Sequence, residues 1–164
     1  MRFYFEVLER EPSEFILKMS TWSLFQDTEL VAINFGLCRL KSEVPLTPVQ
    51  LQAIEFEESL YEEPRPISLS ALATLASSVD LWFQDMELLV FRNSRQIKLS
   101  AEYSELLQAA DMSIRVEDGC YWIFNSIDEG LLEDVKTLVL EIFPGKQIWM
   151  DDGLNQDDDN PEAQ

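Results

Sequence analysis

Between Cys120 and Trp149 the chain switches between two hydrophobic periods. Cys120, Tyr121, Trp122, Ile123 and Phe124 form an unbroken apolar run of strand-favouring residues, the pattern of a strand covered on both faces. Leu131, Val135, Leu138 and Ile142 then recur at helical spacing, with Leu132 and Val139 widening the stripe and Glu133, Lys136 and Thr137 left outside it. Ser126 and Glu129 stand at capping-box spacing ahead of this helix, Asp128 and Glu129 suit its positive end, and Pro144 and Gly145 stop it. Gln147 to Met150 resumes an extended pattern, so the segment predicts a parallel β-α-β crossover.

Upstream, Phe3, Phe5 and Val7 alternate with Tyr4, Glu6 and Leu8 as in a strand with one buried face, which the stretch around Pro12 ends. Phe15, Ile16, Leu17 and Met19, then Trp22, Leu24 and Phe25, fit a strand or a short helix, and we read them as a strand. Leu30 to Leu40 predicts a further strand, with Gly36 marking a bulge or a close approach. Thr47 can cap a helix that starts at Pro48, where the missing N–H is no loss. Val49, Ala53, Phe56 and Leu60 are its inward stripe. The link from Glu62 to Pro66 reads as stiff and exposed.

Ser68 or Ser70 opens a second helix, nearly apolar all round through Leu69, Leu72, Ala73, Leu75, Ala76 and Val79. Leu88 to Phe91 predicts a strand, Arg92 to Arg95 a turn, and Ile97 to Leu99 its returning arm. A short helix follows from Ser100 through Leu106 and Ala110. Asp118-Gly119 between Met112–Val116 and the run from Cys120 predicts a hairpin. The expected fold is therefore α+β or α/β: one domain over residues 1–150, a mixed β-sheet packed with about four helices, ending in the β-α-β unit. Residues 151–164 read as a disordered acidic tail.

Charge changes this picture most. At 164 residues the chain can bury a full core, and 46% of it is hydrophobic, yet its formal net charge is −19. Six of the acids lie in the tail, so the first 150 residues keep 25 acids against 12 bases, an excess of 13 negative charges. The acidity belongs to the fold. Such a balance attracts basic partners and opposes direct contact with nucleic-acid phosphates or an anionic membrane. Cys38 and Cys120, with no C-x-x-C between them, read as buried thiols instead of a disulfide framework or a ligand pair, and no apolar run is long enough for a membrane span. The expected compartment is the cytoplasm.

The chain contains no histidine, which removes the commonest general base, metal ligand and nucleophile partner. Asp151-Asp152-Gly153 fails the calcium-loop pattern because glycine stands third instead of sixth. No phosphate-cradling glycine loop is present. We therefore expect no enzyme activity, no metal and no cofactor.

Acidic residues without local compensation are the remaining candidates. Glu55, Glu58 and Glu62 stack on one face of the helix from Pro48, with Glu57 and Glu63 beside them and no Lys or Arg inside the helix. Asp80, Asp85 and Glu87 surround Trp82 and Phe83, as charge surrounds the aromatic anchors of an interface. In size, acidity and lack of catalytic equipment the chain resembles the immunity proteins that neutralise bacterial toxins. The likeness is one of general character, with no family motif matched. It implies a basic protein partner, foremost a nuclease toxin whose cationic cleft these carboxylates would meet. A DNA mimic and an acidic secretion chaperone are the alternatives.

Overall fold

The computed structural model describes residues 1–7, 12–39, 45–77, 81–92, 97, 99 and 102–151. The chain runs β1 (Arg2–Glu6), α1 (Pro12–Met19), a 3-10 turn (Ser23–Phe25), β2 (Glu29–Arg39), α2 (Pro48–Ser59), β3 (Arg65–Ile67) and α3 (Leu69–Ala76). It continues through β4 (Leu81–Phe91), α4 (Tyr103–Ala109), β5 (Met112–Glu117), β6 (Tyr121–Asn125), α5 (Glu129–Ile142) and β7 (Trp149–Asp151). The strands form one seven-stranded sheet in the order β3-β2-β4-β5-β6-β1-β7. Every neighbouring pair is antiparallel. Because β6 and β7 both flank β1 antiparallel, they run parallel to each other, and α5 makes the predicted crossover with β1 inserted between its two strands.

The sheet carries one more helix than the sequence pattern predicts, and that helix is α1, where a strand was expected. Phe15, Ile16 and Met19 are buried while Glu14, Leu17 and Lys18 are exposed. That spacing follows a helical turn, not alternation. Phe15 lands edge-on against Phe5 at 5.6 Å and Trp122 at 4.9 Å, over a floor in which Phe3 stacks on Phe124 at 5.0 Å. Ile97 and Leu99 are also not a strand; β4 finds its partners in β2 and β5 instead.

Turn chemistry accounts for the β5–β6 hairpin. Asp118 and Gly119 have φ of 54° and 75°, and the Cys120 N–H donates to the Glu117 carbonyl at 3.3 Å, the geometry that an Asp-Gly pair favours. At the start of α5 the cap is Asp128, two residues later than predicted. Its Oδ1 accepts the Leu131 N–H at 3.0 Å, while the buried Ser126 hydroxyl donates to the Asp111 carbonyl at 2.6 Å and accepts the Asp128 N–H. The Leu131 N–H and the Arg92 guanidinium, 3.1 Å away, hold the Asp128 carboxyl below its usual range.

Directly opposed residues of an antiparallel ladder point to the same face, so the register sorts the side chains. One face carries Phe3, Phe5, Phe35, Leu88, Ile114 and Phe124, and residues of α1, α2, α3 and α5 share its core. The other face holds a smaller cluster of Val31, Leu89 and Phe91, covered by Leu106 of α4 with Ile97 and Leu99. Asp151 belongs to β7, where its carboxylate accepts from Arg2 Nη2 at 2.7 Å and Nε at 3.0 Å. The rest of the expected tail, residues 152–164, lies outside the described residues.

Candidate protein interface

Helix α2 starts as its sequence dictates. Thr47 Oγ1 accepts the Gln50 N–H at 3.2 Å and Gln50 Oε1 accepts the Thr47 N–H at 3.1 Å, a reciprocal cap with Pro48 at the first position. Ala53 and Leu60 are buried, and Phe56 packs on Phe35 at 5.2 Å, which fixes the inward side. The outward side carries Leu51, Gln52, Glu55 and Glu58, all exposed. The helix ends at Ser59. Glu62 and Glu63, expected on the helix or its link, sit exposed in the turn beyond it, next to Tyr61, which is 76% exposed.

Glu55, Glu57 and Glu58 all fall in the C-terminal half of α2, and no base stands in its last turn. Carboxylates there oppose the helix dipole, at a cost of about 0.3–1 kcal/mol each in low salt. Helix stability therefore does not explain them. Glu57 has a separate task. Its Oε2 accepts the Leu37 N–H at 2.7 Å, next to the register shift at Gly36 and Leu37 in β2, and its Oε1 is 3.5 Å from the Tyr61 hydroxyl. Glu63 lies 3.8 Å from Arg65, an exposed pair of little energetic weight. Among the described residues no ion pair reaches Glu55, Glu58 or Glu62.

This division gives a test. Glu57→Ala strands the Leu37 N–H and is expected to cost about 1.5–3 kcal/mol, as loss of a charge-assisted hydrogen bond does. Glu58→Ala, one residue on, should stay within about 0.5 kcal/mol. Urea denaturation of the two variants checks both; equal costs would contradict the division.

The second predicted group does not join the first. Asp80 and the side chain of Trp82 lie outside the described residues; the Trp82 backbone stands opposite Cys38 in the β2–β4 ladder. Phe83 is not a surface anchor. It is 5% exposed and meets Phe35 edge-on at 5.0 Å, in the core beneath α2. Asp85 and Glu87 point to the opposite face of the sheet. Gly36 pairs with Asp85 and Leu37 with Phe83, so Gln84 is an extra residue that reverses the alternation between them. Gly36 also makes room for Asp85: a Cβ there would stand 3.3 Å from the Asp85 Cβ and Oδ2.

Glu87 is held by α4. The Tyr103 hydroxyl donates to Glu87 Oε1 at 2.5 Å, and partial burial of that hydroxyl, followed by the carboxylate beside it, pushes the phenol up to about 12. A raised phenol pKa contributes stability that is complete below the ordinary value near 10 and is lost as pH rises through about 12. Spectrophotometric titration against Tyr103→Phe should find this late-ionising phenol. In Glu87→Gln its pKa is expected to fall only part of the way, because burial remains.

No protein-family model, curated protein or solved structure matches the chain. Its surface chemistry must therefore be read directly. Among the described residues no group of three His, Cys, Asp or Glu side chains gathers to hold a metal ion, and no helix is long and apolar enough to cross a membrane. The outer side of α2 carries Glu55 and Glu58 with the exposed Leu51 at 47%, and the turn after the helix carries Glu62 with Tyr61 at 76%. Neither Leu51 nor Tyr61 was singled out in the sequence. The signal for Leu51 was present, since it precedes Glu55 and Glu58 by four and seven positions and falls off the stripe of Ala53, Phe56 and Leu60.

Proposed function

We propose that the chain binds a basic protein through the outer side of α2 and the turn after it, and that it does so as a cytoplasmic immunity protein neutralising a toxin, most concretely a nuclease. The observation that carries this reading is the pair Glu55 and Glu58 in the C-terminal half of α2, with Glu62 in the turn after it, all exposed and without ion-pair partners among the described residues. These carboxylates speed and orient encounter; Leu51 and Tyr61 supply the apolar hold that exposed charges do not. A nuclease must present cationic groups to its substrate, and carboxylates fixed on a helix can occupy or border that cleft. The action is binding, without catalysis.

A DNA mimic would need an extended double row of carboxylates at phosphate-like spacing. The candidate acids with described side chains instead divide between α2 with its following turn and, for Asp85 and Glu87, the opposite face of the sheet, so they form no continuous double row. The test is co-expression with the product of the adjacent gene. A complex that weakens as salt is added, and that protects cells from that product, supports the proposal; a toxin left fully active in the presence of the folded chain rejects it.

A further inference from the structure

The face of the sheet opposite α1, α2, α3 and α5 is only partly covered. Residues of α4, with Ile97 and Leu99, close it over Val31, Leu89 and Phe91. The cluster under α4 takes in no residue of β5, β6, β1 or β7, although Ser113 and Ile123 on this side are buried. Tyr4 on β1 opposes Ile123 on β6 and Trp149 on β7, and Glu6 opposes Tyr121, which places all five side chains on this side. Tyr4 and Trp149 stack at 5.3 Å with an interplanar angle of 19°. Tyr121 is 37% exposed beside them, and Ile123 is buried. Aromatic cross-strand pairs stabilise a sheet on their own account. That alone would not select the charges around them.

Among the described residues two guanidinium groups stand on this face, and both are engaged within it. Arg2 is held by Asp151 at 2.7 Å and Arg115 by Glu117 at 2.7 Å. Glu6, half-buried beside Tyr121, and Asp85, exposed on β4, add carboxylates on the same face. Partly exposed π-faces bordered by excess negative charge favour a cation that can also stack, and guanidinium does both. Two copies of such a face would bring like charges together, which disfavours self-association.

We propose that this open face binds an arginine-bearing extended segment of a basic protein. The guanidinium groups lie over Tyr4, Tyr121 and Trp149, with Glu6 as the charged partner. Because α2 packs on the other side of the sheet, the two surfaces are separable by mutation, and this one does not depend on the proposed role of α2.

The test titrates the full chain with an acetylated Arg-Val-Arg-Val-Arg peptide, followed by NMR, with Lys-Val-Lys-Val-Lys as the control. The arginine peptide is expected to shift the resonances of Tyr4, Tyr121, Ile123 and the Trp149 indole, and to bind about tenfold more tightly than the lysine peptide. Glu6→Gln, which preserves shape, should weaken it several-fold, and Tyr121→Ser should do the same; the α2 charge variant E55Q/E58Q/E62Q should not. The proposal is overturned by shifts confined to α2 or spread over all acids, by equal affinity for both peptides, or by face shifts that follow protein concentration without peptide, which would mark self-association.

Discussion

Replacing Phe15 with alanine is expected to lower the free energy of unfolding by about 3–5 kcal/mol, the range for removing a buried aromatic ring from a packed core. Phe15 has no solvent exposure, and its ring meets Phe5, Trp22, Trp122, Phe124 and Phe143 at centroid distances from 4.9 to 6.4 Å. It is the peg by which α1 sits on the β1–β6 floor. A domain of this kind has about 5–15 kcal/mol of total stability, so the loss takes a large share of it. Leu17, two residues on and 57% exposed, should tolerate alanine within about 0.5 kcal/mol. Urea denaturation of both variants makes the comparison. A cost below about 1 kcal/mol at Phe15 would mean that α1 does not dock there.

That contrast also explains where sequence reading failed. Pro12 was read as the end of a strand, although proline is at home in the first turn of a helix, and Phe15-Ile16-Leu17 was taken as a strand run. Only the docking of residues 15, 16 and 19 together reveals the helical period. Elements whose signals are local were legible. The Thr47-Pro48 start of α2, the Asp118-Gly119 hairpin and the β6-α5-β7 crossover each depend on residues adjacent in sequence or on one long amphipathic stripe. At the start of α5 two competent caps stand two residues apart, and the choice of Asp128 over Ser126 follows from Ser126 being drawn to the Asp111 carbonyl.

The candidate surface was legible on α2 and misleading on β4. Phe83, Asp85 and Glu87 share a parity in sequence, so simple alternation would put them on one face. The extra residue at Gln84 sends Phe83 into the core and the two acids to the other side, and no count along one strand reveals a shift that exists only relative to its neighbour. Glu57 poses a similar difficulty. Nothing in its sequence neighbourhood distinguishes it from Glu58, yet the Leu37 N–H, twenty positions away, gives it a structural partner.

The triple replacement Glu55→Gln, Glu58→Gln and Glu62→Gln is expected to weaken association with a basic partner by about 10- to 100-fold at low salt, mostly through slower encounter, and to flatten its salt dependence. Folding should survive, because all three side chains are exposed and glutamine preserves their shape. The helix should even gain slightly, since two charges leave the negative end of its dipole. Tyr61→Ala is the complementary change. It removes an apolar anchor without altering net charge and should act on dissociation instead of encounter.

The most direct measurement of the central claim is survival of cells expressing the adjacent gene's product together with this chain or with its triple glutamine form. The native chain is predicted to protect, and the variant, folded and equally abundant, to protect poorly. Equal protection by both would show that the carboxylates of α2 are not what meets the partner.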